Sequence, residues 1–206
     1  KETEEHGLLY MDEPPYEILA TKYMPYKDMQ YLKHLDNILD QTANSGNFKH
    51  TLKALLRASK LDAFAFYRQL TNWWVQAGHY PQSHNAKGVA AILLQFIEEI
   101  YSEKRAELLE ILRFDVFCDI PQWRPEWLEW NTEKIFEVTS AFWRNEALVA
   151  QYIPEYKFNS WRQIHKFYPI ELFKADWQTG EQKNFYVMLD NKSEEKRLIV
   201  LPLEKN

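Results

Sequence analysis

The sequence predicts a mainly α-helical protein, a multi-helix domain that ends in a small antiparallel β-sheet of about three strands. Three observations lead there. Through residues 25–167, apolar side chains return every three or four positions, in segments separated by Gly, Pro or Asn. From residue 168 the period drops to two, in short β-prone runs joined by turn-like stretches. Only 5 of the 206 residues are Gly, too few for glycine-cradled phosphate loops or a long series of tight β-turns.

The first 24 residues follow neither period. In "GLLYMDEPPYEILATKY", residues 7–23, Pro14 and Pro15 fix φ and remove two amide donors. They also push the residues before them toward extended backbone, so an aromatic-rich extended strap is expected. Pro25 then suits the first turn of a helix running to about Thr42, with Met29, Leu32, Leu35, Ile38 and Leu39 as its apolar period. "NSGN", residues 44–47, stops it, with Gly46 as a left-handed cap. Asn47 is placed to cap the next helix, which carries Phe48, Leu52, Leu55 and Leu56. A third helix from near Asp62 sets Phe64, Tyr67, Leu70 and Trp74 along one side and ends at Gly78. Residues 86–101 form a strongly apolar helix, and the pattern from 103 to 117 is either its continuation or a separate helix. After the break "PQWRPEWLEW", further helices are expected at 132–144, 145–152 and 160–167. The runs "PIELFKADW", "NFYVMLD" and "RLIVLPL", joined by "QTGEQK" and "NKSEEK", read as a meander. The expected organisation is a strap over 1–24, a helical domain over 25–167, and a meander over 168–206 packed on the helices.

Composition narrows the function. With 46% hydrophobic and 27% charged residues the chain reads as an ordinary globular protein. A net charge of −5 without a long basic run argues against a nucleic-acid partner. The longest apolar stretch, residues 89–97, is interrupted by Gln95 and too short to span a bilayer, so no membrane partner is expected. The single cysteine, Cys118, excludes an internal disulfide and an all-cysteine cluster, and fits a reducing, cytoplasmic setting. The start, Lys-Glu-Thr-Glu-Glu, is charged, unlike a signal peptide, and lacks Met. A fragment boundary is expected there, although trimmed disordered residues would leave the same start. Asn191-Lys192-Ser193 matches the glycosylation sequon only as a tripeptide in a turn.

Several side chains are candidates for chemistry. His79 and His84 share the Pro81 loop and would converge on a metal only with distant ligands such as Cys118 or Asp119. Zinc and iron sites normally show tight ligand pairs, so no metal centre is expected, and packing around Pro81 is the plainer role. Trp73 and Trp74, and the cluster Trp123, Trp127 and Trp130, would stack sugars or bases if exposed, and fill a core if not. Glu98 with Glu99, and Glu126 with Glu129, read as solvated helix faces before acid–base pairs. No Ser-His-Asp order, nucleophile elbow, P-loop or dinucleotide fingerprint is present.

One likeness goes further. "GLLYMDEPPYEILATKYMPYKDMQYLKHLDNILDQTANSGNFKHTLKALL" resembles the segment just beyond the catalytic barrel of cobalamin-binding radical S-adenosylmethionine (SAM) proteins. The matching residues are Gly7, Leu8, Tyr10, Pro14, Pro15, Tyr16, Glu17, Leu19 and Thr21, then Asn44, Ser45, Gly46 and Phe48. Ala43 stands where that pattern commonly has an aromatic residue, and "LRFDVF", residues 112–117, is similar to a second pattern of those chains. The likeness is spread over about the first 118 residues. It implies a C-terminal accessory domain of unknown function, in the broad superfamily that includes anaerobic magnesium-protoporphyrin monomethyl ester oxidative cyclases. The parent chain would hold a [4Fe–4S] cluster through a Cys-x-x-x-Cys-x-x-Cys motif, S-adenosylmethionine, and cobalamin in an upstream domain. Cys118 stands alone here, so this part of the chain is expected to hold none of them and to be inert by itself.

The implied partner is the upstream barrel of the same chain, whose substrate cavity the domain would shape or shield. In that reading Tyr10, Tyr16 and Leu19 anchor the crossing from the barrel. Asn44, Ser45, Gly46 and His50, at a helix break that presents polar groups, are candidates for the substrate or interface side; the alternative for the turn is a simple helix cap. Two other functions stay open: a free-standing helical module that binds a protein or peptide, and a carbohydrate or nucleotide binder acting through the Trp cluster.

Overall fold

The computed structural model describes residues 5–14, 16–131, 135–154, 156–157, 160–179, 181–192 and 197–201. Among them are eight α-helices and a C-terminal three-stranded antiparallel sheet, the fold class expected from the sequence. The chain divides into two compact units, one of residues 1–47 and 56–96, the other of residues 48–55 and 97–206.

In the first unit the strap folds back on itself. β1 (Leu9–Tyr10) pairs antiparallel with β2 (Ile18–Ala20), with Leu9 opposite Ala20. Two extended apolar pieces either side of a proline-bearing turn can share a ladder, whereas Pro14 could not donate within one. Gly7, at φ +56°, lets the chain pass close to Lys22, whose Cβ would lie 3.2 Å from any added Cβ. Helix α1 (Tyr26–Gln41) starts after an extended Pro25. It ends where the Asn44 amide donates to the Leu39 carbonyl (2.8 Å) and Gly46 turns the chain at φ +78°. Helix α2 (Lys49–Ser59) and helix α4 (Ala86–Ile100) are each divided between the units. Helix α3 (Ala63–Gln76) is capped by Asp62, whose carboxylate accepts from the Ala65 amide at 2.8 Å. The buried side chains of this unit include Ile38 of α1, Phe66, Leu70 and Trp74 of α3, and Val89, Leu93 and Phe96 of α4. Full burial of such a side chain contributes about 1.5–3 kcal/mol relative to exposure.

In the second unit a 3-10 turn, Ser102–Lys104, separates α4 from α5 (Arg105–Asp119), so the pattern from 103 to 117 is a helix of its own. α6 (Phe136–Arg144), α7 (Glu146–Tyr152) and α8 (Trp161–Phe167) follow. Asn145 caps α7 through the Leu148 amide (3.1 Å), and Ser160 caps α8 through the Gln163 amide (3.3 Å). β3 (Ile170–Ala175), β4 (Gln182–Asp190) and β5 (Arg197–Leu201) form the meander in that order. The sheet is covered on both faces. Phe173, Val187 and Leu189 pack with Phe114 and Phe117 of α5, while Ile170, Tyr186 and Met188 pack with Phe142, Trp143 and Ile164 of α6 and α8. Burial on both sides explains why Tyr186 to Asp190 are all buried, where period-two alternation alone would leave every second residue exposed. Several expectations lie on positions outside the described residues: Pro15, the start of the 132–144 helix, Ser193 of the sequon, and the Pro202–Leu203 end of the third run.

Two outcomes follow from these turns. Nothing lies within 4 Å of a Cβ added at Gly46, so its substitution is costly through backbone alone. Gly46→Val should therefore lose about 1–2 kcal/mol in chemical denaturation and Gly46→Asn clearly less, because Asn tolerates the left-handed region; equal losses would contradict this. At the β3–β4 turn, Asp176 accepts from the Gln178 amide (2.7 Å) and the Thr179 amide (2.9 Å). Slight burial pushes its carboxyl up, but those amides, the Thr179 hydroxyl and Lys183 outweigh it and hold it below the ordinary carboxylate value. A carboxyl depressed by folding stabilises above its unfolded value, and that contribution is lost as pH falls through the folded one. Amide protection across the turn, measured relative to the intrinsic exchange rate at each pH, should fall in acid, and Asp176→Asn should remove that dependence.

Candidate functional site

Helix α5 carries "LLEILRFDVFCD", in which Leu108 and every residue from Ile111 to Phe117 are buried, Arg113 and Asp115 included. A charged side chain inside such a run costs several kcal/mol unless its hydrogen-bonding groups are satisfied. Two residues apart on a helix means about 200° of rotation, so the two charges leave α5 on opposite sides.

On one side, Arg113 forms a fork with Glu110, Nε to Oε2 at 3.1 Å and Nη2 to Oε1 at 2.6 Å. Its Nη1 donates to Glu171 Oε1 (3.1 Å) and its Nη2 to the Leu172 carbonyl (2.7 Å), which ties α5 to β3. Glu171 Oε1 also accepts the Asn131 amide at 3.0 Å, and the Asn131 side chain donates to the Leu172 carbonyl at 3.0 Å. Arg124 lies over the Trp130 ring, 4.3 Å from its centroid. Burial pulls this guanidinium below its ordinary value, and Arg113 adds to that, while Glu171 opposes it.

On the other side, Asp115 receives the first turn of α2. Its Oδ2 accepts from the Thr51 amide and the Thr51 hydroxyl, both at 2.7 Å, and its Oδ1 lies 2.7 Å from His50 Nδ1. Asp119 Oδ2 accepts the Phe48 amide at 2.8 Å. The expected cap, Asn47, is thus replaced by two carboxylates from a distant helix. They satisfy amide donors that the first turn of a helix leaves free, and negative charge is favoured at that end. An ionised carboxylate can only accept, so His50 Nδ1 donates to Asp115, and Nε2 is the ring nitrogen left over. His50 is partly exposed, at 33% of its side chain, and Asp115 is buried at 2%. Among the described residues, Nε2 has no hydrogen-bond partner. The pair has the form of an oriented imidazole, able to accept one proton or one ligand bond at Nε2.

The other sequence candidates fall in different places. Asn44, Ser45 and Gly46 lie in the turn after α1, in the first unit. Asn44 Nδ2 donates to Asp40 (2.8 Å), and Ser45 Oγ donates to the Thr42 carbonyl (2.7 Å) and accepts the Asn47 amide (3.2 Å). Tyr10 and Tyr16 are exposed, at 40% and 60%. Trp73 and Trp74 are buried, at 8% and 0%, so the stacking platform suggested for them has no accessible rings. Trp123 and Trp127 are partly exposed and meet edge to face at 5.7 Å, and Trp130 Nε1 donates to the Pro125 carbonyl at 3.1 Å. His79 and His84 do approach, with ring centroids 6.0 Å apart, but His79 Nε2 meets Gln95 Oε1 and His84 Nε2 meets the His79 carbonyl, each at 2.9 Å. Among the described residues no three His, Cys, Asp or Glu side chains are grouped to hold a metal.

Reading the sequence named His50, and Asp119 only as a distant metal ligand; it did not single out Thr51 or Asp115. The available signal was the placement of Arg113 and Asp115 within an otherwise apolar helical run.

Fold and site together define a helical domain whose C-terminal sheet is bound to a central helix by buried charged groups. The chain belongs to the family described as protein of unknown function (DUF4080), whose model matches residues 4–196. No curated protein and no solved structure matches it.

Asp115→Ala should cost about 3 kcal/mol in equilibrium unfolding, because it strands the Thr51 amide and hydroxyl in the interior. His50→Ala, whose ring is partly solvated, should cost about 1 kcal/mol. The same order measured in reverse would show that Asp115 is not the organising group.

Proposed function

We propose that this chain is the accessory domain of a cobalamin-dependent radical SAM enzyme of the cytoplasm, docked on the catalytic barrel and shielding its substrate cavity. The observation that carries the reading is the exposed apolar set of the first unit. Leu9 (57%), Tyr10, Tyr16, Tyr23 (76%), Tyr26 and Leu32 are all exposed, and Met29, Leu32, Leu35 and Leu39 line one groove along α1. Large aromatic side chains concentrated on one hairpin and the helix after it support a partner surface there. They include Tyr10 and Tyr16, within the stretch that resembles the exit from such a barrel. A domain in that position would keep water and side reactions from radical intermediates, and would need no cluster ligands of its own. No helix among the described residues is long and apolar enough to cross a membrane. The reaction of the parent, whether methyl transfer, cyclisation or rearrangement, would belong to the barrel.

The same exposed face would equally serve a separate protein or peptide, and the polypeptide ahead of residue 1 separates the two readings. The proposal expects a Cys-x-x-x-Cys-x-x-Cys motif there, and a polypeptide that binds an iron–sulfur cluster and cobalamin. Hydrogen exchange then reports the docking. Amides of residues 9–20 and 26–39 should exchange at least about tenfold more slowly in the whole polypeptide than in residues 1–206 alone. Equal exchange in both would refute docking through this face, and a polypeptide that starts with Met near residue 1 would refute the parentage.

A further inference from the structure

The second unit holds a cavity of about 310 Å³ beside α5, bordered by residues 127–129, Lys174 and Gln182. That volume is within the range of small-molecule sites. Its inner wall is held rigidly. Arg113, 2% exposed, is fixed by Glu110, Glu171 and the Leu172 carbonyl, and Glu110 also accepts the Lys174 amide at 2.5 Å. Leu109, Leu128 and the Trp127 indole supply an apolar surface.

Most charges around the cavity cancel within the wall. Arg113 and Arg124 together balance Glu110 and Glu171, and Arg105 pairs with Glu98 at 2.8 Å. Two lining charges are left over, Lys174 and Glu129, which are exposed and opposite in sign. Among the described residues, neither side chain has an ion-pair partner, and the two are not paired with each other. An aromatic and aliphatic surface bordered by one uncompensated cation and one uncompensated anion is complementary to a ligand that carries both charges at one end of an apolar side chain.

We propose that this cavity binds a free α-amino acid with an aromatic or large aliphatic side chain. The side chain lies against Trp127, Leu109 and Leu128, the carboxylate faces Lys174, and the ammonium faces Glu129. A ligand with only the carboxylate leaves Glu129 facing an anion's apolar end, and a ligand with only the ammonium leaves Lys174 uncompensated. The discrimination therefore comes from the missing charge as well as from the bound one.

Calorimetric titration of the 206-residue chain with L-phenylalanine, 3-phenylpropionate and phenethylamine tests this. L-Phenylalanine should bind saturably at one site, about tenfold or more tighter than either singly charged analogue. Lys174→Gln should weaken L-phenylalanine about tenfold and leave phenethylamine unchanged; Glu129→Gln should weaken it similarly and leave 3-phenylpropionate unchanged. Trp127→Ala should weaken all three. Lys174 and Glu129 are exposed, so these two variants keep the fold, and an unchanged far-UV spectrum verifies it. No saturable binding of L-phenylalanine up to about 10 mM, a weak limit for a specific small-ligand site, would overturn the proposal. So would equal binding of the three ligands, or indifference to both charge substitutions.

Discussion

The second unit depends on the Asp115 carboxylate. A buried carboxylate is tolerated only when donors surround it, and three groups from residues 50 and 51 do so here. One of them is a backbone amide, so the interaction fixes the position of the chain itself as well as of a side chain. This sets the first turn of α2 against α5 across a separation of 64 residues. Phe48, completely buried and at φ +55°, sits at the start of the same turn, with its amide held by Asp119. A left-handed aromatic residue is strained, and such a conformation persists where its surroundings over-determine it.

Arg113 repeats the device on the other side of α5, toward β3. One helical turn thereby carries two junctions built on buried charged side chains, with Phe114 and Phe117 filling the apolar space against the sheet. The arrangement separates roles within the molecule. Polar groups buried in the second unit specify how its elements fit together, and the first unit exposes aromatic side chains on its hairpin and the helix after it. The polar wall formed by Arg113 and its partners also lines the cavity on that side of α5.

The helices were legible because each is long enough for its apolar period to repeat, as in α4, and because Asp62, Asn145 and Ser160 occupy favourable cap positions. The stop at Gly46 was equally visible, since few other residues take that φ. What escaped was tertiary. The cap of α2 comes from Asp115 and Asp119, and local spacing pointed to Asn47 instead. The burial of β4 on both faces could not be read from its own sequence, because the second covering layer is supplied by α6 and α8. The strap was legible as extended and proline-broken, but whether its two halves pair depends on a two-residue register that no periodicity encodes. Of the candidate site, His50 was within reach of the sequence, while the carboxylate that orients it was not.

The central claim is that Asp115 organises the second unit through residue 51, and a double-mutant cycle between Thr51→Val and Asp115→Ala tests it most directly. Equilibrium denaturation of the wild type, the two single variants and the pair should give a coupling energy of about 1 kcal/mol or more, since the hydroxyl loses its value once the carboxylate is gone. Additivity within about 0.3 kcal/mol would contradict the account, because the two residues would then contribute independently.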